Sequence, residues 1–253
     1  MEMTRRNMVS AASFAAVGSA FALGTSPASA TGSNPRALLP PMASVPQADG
    51  KTLLTPNQAL ERLQEGNRRF AADQPTQPDI SVKRRAAIAA SQAPFAVILC
   101  CSDSRVGPEQ LFGAGLGELF VVRTAGNYLD TAGIGSVEFG VSVLGAPLVV
   151  VLGHERCGAV KAAAAVLKDN VALPGSLGPL VEPIIPSVID AKANLKPGDD
   201  LIETAARIHA KRVAKRLKNT PDPAFAAPSS AGKLNVVAAY YDLDTGLVEI
   251  LDV

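Results

Sequence analysis

Two short segments carry the side chains best suited to chemistry. Cys101–Arg105, with the sequence CSDSR, supplies a thiolate, a carboxylate and a guanidinium. His154–Cys157, with the sequence HERC, supplies an imidazole and a second thiolate. Two cysteines and one histidine are ligands that suit Zn²⁺, and a catalytic zinc site commonly has three protein ligands and a fourth position for water. The two segments together therefore predict a zinc centre with an open coordination position.

The residues around these segments predict that the ligands lie at the ends of buried strands. Phe95–Cys101 and Leu148–Leu152 are apolar runs rich in Val and Ile without polar alternation, which is typical of parallel strands covered on both faces. Cys101 ends the first run, His154 follows the second, and Cys157 precedes an alanine-rich helix former. Sites in open α/β sheets form at the carboxyl ends of strands, so we expect these three side chains to converge.

Only two further cysteine or histidine ligands remain in the chain, Cys100 and His209. Neighbouring strand residues point to opposite faces of a sheet, so Cys100 is expected in the core, away from Cys101. His209 lies in the basic run 207–216, which predicts an amphipathic helix with a solvated charged face. We expect His209 to be an exposed helix residue, with proton shuttling as the alternative.

The two segments resemble the signature of the β-class carbonic anhydrases, C-x-D-S-R followed by G-H-x-x-C-G-A. The resemblance extends over roughly residues 52–253 and includes the stretches 54–60, 66–70 and 117–127. It implies a zinc enzyme that interconverts CO₂ and bicarbonate, with one Zn²⁺ per chain bound by Cys101, His154 and Cys157. Asp103 and Arg105 would form the catalytic dyad beside the metal. The resemblance also implies a homodimer or a dimer of dimers, with N-terminal helices that pack on the partner subunit.

The same chemistry can be argued from the residues. Water bound to Zn²⁺ loses its proton near neutral pH, and CO₂ needs only that nucleophile and a dry pocket. Two thiolates offset the charge of the metal, so we expect weaker Lewis acidity than with three histidines and a pH profile that rises toward alkaline pH. Asp103 can orient the nucleophile by accepting its hydrogen bond while ionised, and Arg105 can keep it ionised.

Three more positions match the substrate pocket of the family. Gln92 matches a glutamine that donates to the substrate across the dimer interface, and an exposed loop residue is the alternative. Phe120 and Phe139 match the aromatic wall of the cleft, although many relatives have Tyr at the second position. Core packing explains both phenylalanines nearly as well.

One position bears on regulation. The bicarbonate-inhibited subgroup of the family has a tryptophan three residues before the first cysteine ligand, whereas this chain has Ile98 there and no Trp. We therefore expect that inhibitory pocket to be absent and Asp103 to stay paired with Arg105.

The alternation of apolar runs and helical segments predicts an α/β fold with a central, mostly parallel sheet flanked by helices and a C-terminal hairpin. Residues 170–199 contain several prolines and are expected to be partly irregular. The predicted elements are a helix that Thr55 caps and that ends near Phe70, strand 95–101, a short helix from Pro108, strand 119–123, helix 134–144, strand 148–152 and a hairpin of 234–241 and 247–253.

The N-terminus predicts export. Arg5 and Arg6 precede the apolar stretch Ala11–Leu23, and Ala28–Ala30 is a small-residue cleavage site, a pattern typical of a twin-arginine signal peptide. We expect residues 1–30 to be this signal, 31–50 a flexible linker and 51–253 the catalytic domain. The expected location is periplasmic or extracellular.

Composition sets the remaining bounds. The chain has 253 residues, 47% of them hydrophobic, which is sufficient for one large core. Its formal net charge is +1, and removal of residues 1–30 brings it to 0. Nothing in this charge balance favours a nucleic-acid partner, and we expect no membrane-spanning segment in the mature chain.

Three other functions remain open at this point. The same site could hydrolyse another small heterocumulene such as carbonyl sulfide. The protein could instead bind zinc without catalysis, although the Asp103–Arg105 pair argues against this. Thiol redox chemistry at Cys100, Cys101 or Cys157 is the third alternative, and the lack of a C-x-x-C motif argues against it.

Overall fold

Seven strands form two sheets in the part of the chain that the structure, a computed structural model, describes: residue 45, residues 47–48 and residues 50–252. Their bounds are β1 Gln47–Ala48, β2 Lys51–Thr52, β3 Ala96–Cys100, β4 Leu119–Arg123, β5 Leu148–His154, β6 Asn235–Tyr241 and β7 Val248–Leu251. β1 and β2 form a short antiparallel pair. The other five form one sheet of order β4-β3-β5-β6-β7, parallel except for the terminal β6–β7 pair. The predicted mostly parallel sheet with a C-terminal hairpin is confirmed.

Helices connect these strands within the same described residues. Their bounds are α1 Pro56–Ala71, α2 Val82–Ile88, α3 Pro108–Leu111, α4 Thr131–Glu138, α5 Gly158–Asp169, α6 Leu177–Val181, α7 Ile185–Asn194, α8 Leu201–Lys218 and α9 Pro223–Ser230. A π-helical turn, Phe139–Val143, continues α4, and a 3-10 turn, Glu182–Ile184, links α6 to α7. The predicted helices at the N-terminus, at Pro108 and after Cys157 are present.

The sheet is buried on both faces by two apolar clusters. Val97 and Leu99 of β3 belong to the cluster that includes residues of α5, α7 and α8, whereas Ile98 and Cys100 belong to the cluster that includes Leu63 of α1. This alternation follows from the two-residue period of a strand. It also separates Cys100 from Cys101, which lies in the first cluster, as the sequence predicts.

Helix α1 fixes the C-terminal hairpin. It starts at a capping box in which Thr55 and Gln58 each bond the other's backbone, with Pro56 at the first helical position. Near its other end, the buried Asn67 donates from Nδ2 to the carbonyl of Gly246 at 2.9 Å and accepts at Oδ1 from the N–H of Val248 at 2.8 Å. Two hydrogen bonds from the Asn67 side chain therefore connect the turn of the β6–β7 hairpin to α1.

Several predicted boundaries were wrong. Strand β5 runs to His154 because it pairs with β6 as far as Tyr241, so His154 ends the strand and does not follow it. Helix α4 begins three residues early, because the Asp130 carboxylate caps it by accepting from the N–H of Gly133. Residues 170–199 are partly irregular, as predicted, and contain α6 and α7, for which no bounds were predicted. Helices α2 and α9 were not predicted.

His209 is buried, and the prediction of an exposed histidine was wrong. Only 2% of its surface is exposed, and its Nδ1 lies 3.2 Å from the hydroxyl of Ser187 on α7. The neighbouring basic residues suggest a solvated face, but Ala205 and Val213, four residues away on either side, place His209 on the buried stripe of α8.

Residues 1–30 and most of the predicted linker lie outside the described residues. Gln47–Ala48, at the end of that linker, pairs with β2. Among the helices that the structure describes, none has both the length and the apolar character needed to span a membrane.

Candidate metal centre

Cys101, His154 and Cys157 converge at the carboxyl edge of the sheet. Cys101 follows β3, His154 ends the adjacent parallel strand β5, and Cys157 is the N-cap residue of α5. One ligand atom from each residue lies within 4.8 Å of the others, and all three residues are buried. The predicted convergence at a strand-end site is confirmed, although His154 reaches it as a strand residue.

The histidine ring is oriented as a metal ligand would be. Nδ1 of His154 lies 2.9 Å from the carbonyl oxygen of Glu155, a contact that a proton on Nδ1 would make a hydrogen bond. Nε2 is buried and has no hydrogen-bond partner. A buried nitrogen without a partner is costly, and a cation bound between this atom and the two sulfurs would remove that cost.

The electrostatics of the two sulfurs also fit a cation. Hydrogen bonding from Cys157 and from the backbone N–H of Gly126 lowers the pKa of Cys101 and favours its thiolate, despite burial. The interaction with the Cys101 sulfur, together with burial, raises the pKa of Cys157. Two thiolates so close together repel, and a dication between them offsets the repulsion. The donor set, the burial and the orphaned nitrogen therefore fit Zn²⁺.

Gly126 supports the first sulfur through its backbone. Its N–H donates to Sγ of Cys101 at 3.2 Å, and its φ of +79° lies in the left-handed region. A Cβ at this position would lie 2.6 Å from Cδ1 of Ile184 and 2.9 Å from Cβ of Ala159. Only glycine fits both the backbone angle and the space. In the sequence, Gly126 stands out only as part of the stretch 117–127 that resembles the family, and no spacing rule predicts its contact with Cys101.

Asp103 and Arg105 form a bidentate pair beside the ligands. Oδ1 of Asp103 accepts from the backbone N–H and from Nε of Arg105, both at 2.9 Å, and Oδ2 accepts from Nη2 at 2.7 Å. The Arg105 guanidinium holds the pKa of Asp103 well below its usual range. Oδ2 lies 4.0 Å from Nε2 of His154, so an ionised carboxylate adjoins the three ligand atoms.

Arg123 has a supporting role that was not predicted from the sequence. Its Nε donates to the carbonyl of Cys101 at 3.1 Å, and its Nη2 donates to the carbonyl of Asp103 at 2.7 Å. The guanidinium at the end of β4 thus holds the backbone of the loop that presents both residues. In a sequence, an arginine at the carboxyl end of a strand is a weak signal of a functional role. The role of Arg123 becomes clear only because β4 pairs with β3, which places Arg123 opposite Cys100 and beside the loop that follows.

The predicted pocket residues lie toward the other end of the sheet. The rings of Phe120 and Phe139 stack with their centroids 6.1 Å apart, and Phe120 pairs in register with Val97, near the start of β3. Gln92 is exposed in the loop before β3. The five residues of β3, about 16 Å, separate that loop from Cys101. Within one chain, these three side chains do not reach the metal ligands.

Comparison with known proteins finds similarity to carbonic anhydrases. The family model described as carbonic anhydrase matches residues 96–248. The protein named Carbonic anhydrase 2 from Mycobacterium tuberculosis is 41% identical over 197 residues, which is 78% of this chain and 93% of the relative. A carbonic anhydrase from Mycolicibacterium smegmatis is 40% identical over 196 residues, covering 77% and 93% of the two chains.

Solved structures agree with the sequence matches. The structure titled β-carbonic anhydrase CcaA superposes with a TM-score of 0.59 at 27% identity, covering 76% of this chain and 87% of the other. The β-carbonic anhydrase of Coccomyxa superposes with a TM-score of 0.57 at 28% identity, covering 76% and 86%.

Proposed function

We propose a function for this chain from its membership of the β-class of the carbonic anhydrase family. The proposed reaction is the reversible hydration of CO₂ to bicarbonate and a proton, with one Zn²⁺ per chain. One observation carries the proposal: three buried ligand atoms within 4.8 Å of one another adjoin the carboxylate of Asp103. Family membership names the reaction, and this arrangement supplies the groups that the reaction needs.

Cys101, His154 and Cys157 would hold the metal. When bound, Zn²⁺ supplies Lewis acidity that lowers the pKa of water toward neutrality. Burial of the three ligands keeps their immediate surroundings dry, which suits an uncharged substrate such as CO₂. The thiolates limit the Lewis acidity, so this site should work best at alkaline pH.

Asp103 would orient the attacking oxygen. Ionised by Arg105, its carboxylate can only accept hydrogen bonds, so it selects the orientation in which the oxygen points a proton toward it and a lone pair toward CO₂. Arg105 and Arg123 act on Asp103 at different points, the first through the carboxylate and the second through the backbone carbonyl. Both restrict where the carboxylate can lie.

The complete substrate pocket would require a second copy of the chain. Gln92, Phe120 and Phe139 lie toward the amino ends of β3 and β4, and 46% of Phe139 is exposed. A homodimer, or a dimer of dimers, that placed these residues over the partner's ligands would join the polar donor and the aromatic wall to the metal centre. Aromatic residues are enriched at protein–protein interfaces relative to the rest of the surface.

Export by the twin-arginine route is the proposed fate of the protein. The support is in the sequence: Arg5 and Arg6, the apolar stretch after them and Ala28–Ala30. Because that route carries folded proteins, the cysteines would reach an oxidising compartment already bound to metal. Replacement of both arginines by lysine in a bacterial host should retain the protein inside the cell, as measured by fractionation. Unchanged export of the variant would contradict this proposal.

The metal-site assignment can be tested with two cysteine variants. Cys157→Ser removes a ligand, and we expect loss of bound zinc and of CO₂ hydration. Cys100→Ala is the matched control, because Cys100 is buried on the opposite face of the sheet and burial raises its pKa to about 12, which keeps it an inert thiol. Retention of zinc and turnover by Cys157→Ser would contradict the proposed ligand set.

A further inference from the structure

The segment that carries two of the three ligands has an unfavourable backbone conformation. The chain passes from β5 to α5 through only three residues, the last of which is the ligand Cys157. Arg156 has a φ of +51°, in the left-handed region that residues with a side chain rarely adopt. Such a conformation persists only where surrounding contacts impose it. We call His154–Cys157 the ligand loop and Asp242–Gly246 the hairpin turn.

The ligand loop is hydrogen-bonded to the hairpin turn and to the strand residue before it. The guanidinium of Arg156 donates to both carboxylate oxygens of Asp244, from Nη1 at 2.9 Å and from Nη2 at 2.6 Å. Glu155 joins the contact, because its Oε2 lies 3.2 Å from Nη2 of Arg156 and accepts from the N–H of Leu243 at 3.1 Å. Its backbone N–H also donates to the carbonyl of Tyr241 at 2.9 Å.

The other side of the loop faces the catalytic pair. The carbonyl oxygen of Arg156 lies 3.4 Å from Nη2 of Arg105, the same nitrogen that bonds the carboxylate of Asp103. Residue 156 therefore connects the two halves of the site, with its side chain on the hairpin turn and its carbonyl on the Asp103–Arg105 pair. The conformation of the hairpin turn is itself restrained, because the side chains of Asp242 and Asn67 form hydrogen bonds with its backbone.

We propose that Arg156 and Asp244 form a lock that keeps the ligand loop in its metal-binding conformation, so that a hairpin outside the centre sets how long the metal is retained. The inference rests on the proposed function, since it takes Zn²⁺ as the ion that the loop holds. Arg156 and Asp244 are positioning residues. Neither side chain belongs to the ligand set or to the Asp103–Arg105 dyad.

The exposure of the pair limits its expected effect. The side chains of Arg156 and Asp244 are 49% and 66% exposed, and exposed ion pairs are individually weak. Bidentate geometry and the unfavourable backbone that the pair restrains raise its effect above that of an ordinary surface pair. We expect removal of the pair to speed metal release about three- to tenfold, less than the loss typical of a group bonded directly to a ligand.

The test is the half-time of zinc transfer from the loaded protein to a chromophoric chelator, with CO₂ hydration measured in parallel. Asp244→Asn, Arg156→Gln and the double variant complete a mutant cycle. Asp190→Asn is the matched control, since Asp190 on α7 pairs with Arg212 on α8 and is 48% exposed. Asp244→Asn keeps the backbone N–H that donates to the Asp242 carboxylate.

The expected result is a half-time three- to tenfold shorter in each single variant, no further shortening in the double variant and the parent value in Asp190→Asn. High salt screens exposed charges, so at about 1 M salt the half-time of the parent should approach that of Asp244→Asn.

A parent-like half-time in Asp244→Asn, or equal shortening in Asp190→Asn, would overturn the lock, while CO₂ turnover by the parent would still support the proposed function. A parent that binds zinc but lacks CO₂ turnover would overturn the function alone, and a parent without zinc would overturn both.

Discussion

At the scale of single residues, the charge state of Asp103 governs what the centre can do. A carboxylate can orient an attacking oxygen only while it is ionised, and two contacts from the Arg105 side chain keep it so. The three ligands and this pair were predictable from the sequence because their residue types are chemically distinctive. Arg123 and Gly126 were not, since one acts on backbone carbonyls and the other through its own N–H.

Asp103→Asn tests the orienting role. The amide is nearly isosteric but also presents donors, so it no longer enforces one orientation of the attacking oxygen. We expect kcat/KM for CO₂ hydration to fall about 100-fold while the zinc content stays at one per chain. Ser104→Ala, an exposed neighbour in the same loop, should behave as the parent. Parent-like turnover of Asp103→Asn in stopped-flow assays would contradict the role.

The burial of His209 should make the stability of the fold sensitive to acid. Burial lowers its pKa to about 4, against 6.5 for the free side chain. The unfolded chain therefore takes up a proton first, so stability is complete above pH 6.5 and decreases as the pH falls toward 4. The expected loss is roughly 3 kcal/mol. Denaturant unfolding at pH 7 and pH 4 should show a smaller decrease for His209→Gln, and identical decreases in the two proteins would contradict this assignment.

At the scale of elements, the site depends on which strand ends are neighbours. Cys101 and His154 meet because β3 and β5 pair in parallel, and Cys157 joins them because α5 starts directly after the ligand loop. Apolar runs in the sequence predicted these strands well. They could not place His209, because the stripe that buries it consists largely of alanines within a basic helix. The prolines of residues 170–199 also obscured α7, which begins with a proline in its first turn.

Close packing at Gly126 should make this position intolerant of a side chain. In Gly126→Ala, the new Cβ would meet Ile184 and Ala159, and alanine would have to adopt a positive φ. We expect a loss of roughly 2–4 kcal/mol in the free energy of unfolding and weaker zinc retention. Gly135→Ala in α4 has open space around the new methyl group and should be neutral or slightly stabilising. Chemical denaturation of both variants measures the difference, and equal stabilities would contradict it.

At the scale of the whole molecule, one chain contains the metal ligands at one end of β3 and the predicted pocket residues at the other. The sequence resemblance implied that Gln92 acts across a dimer interface. The separation of Gln92 from Cys101 along β3 makes a role within the same chain geometrically unfavourable. We therefore propose that the function of the pocket residues depends on association of two copies.

Mixed dimers test this dependence. A dimer of one Gln92→Ala chain and one Cys157→Ser chain, purified through two different tags, contains one centre with all its metal ligands and an intact Gln92 from the partner. We expect it to recover about half of the parent CO₂ hydration, with both homodimeric variants far less active. Activity no higher than the mean of the two variants would show that Gln92 acts within its own chain.

Hydration of CO₂ at this centre can be measured by stopped-flow assays across pH on protein of measured zinc content, with carbonyl sulfide hydrolysis measured in parallel. We expect one zinc per chain and CO₂ turnover that rises toward alkaline pH, with carbonyl sulfide a poorer substrate. Full zinc occupancy without CO₂ turnover at any pH would contradict the claim. Turnover of carbonyl sulfide in that protein would assign the site to a CO₂ isostere, and no turnover of either would leave a zinc-binding protein.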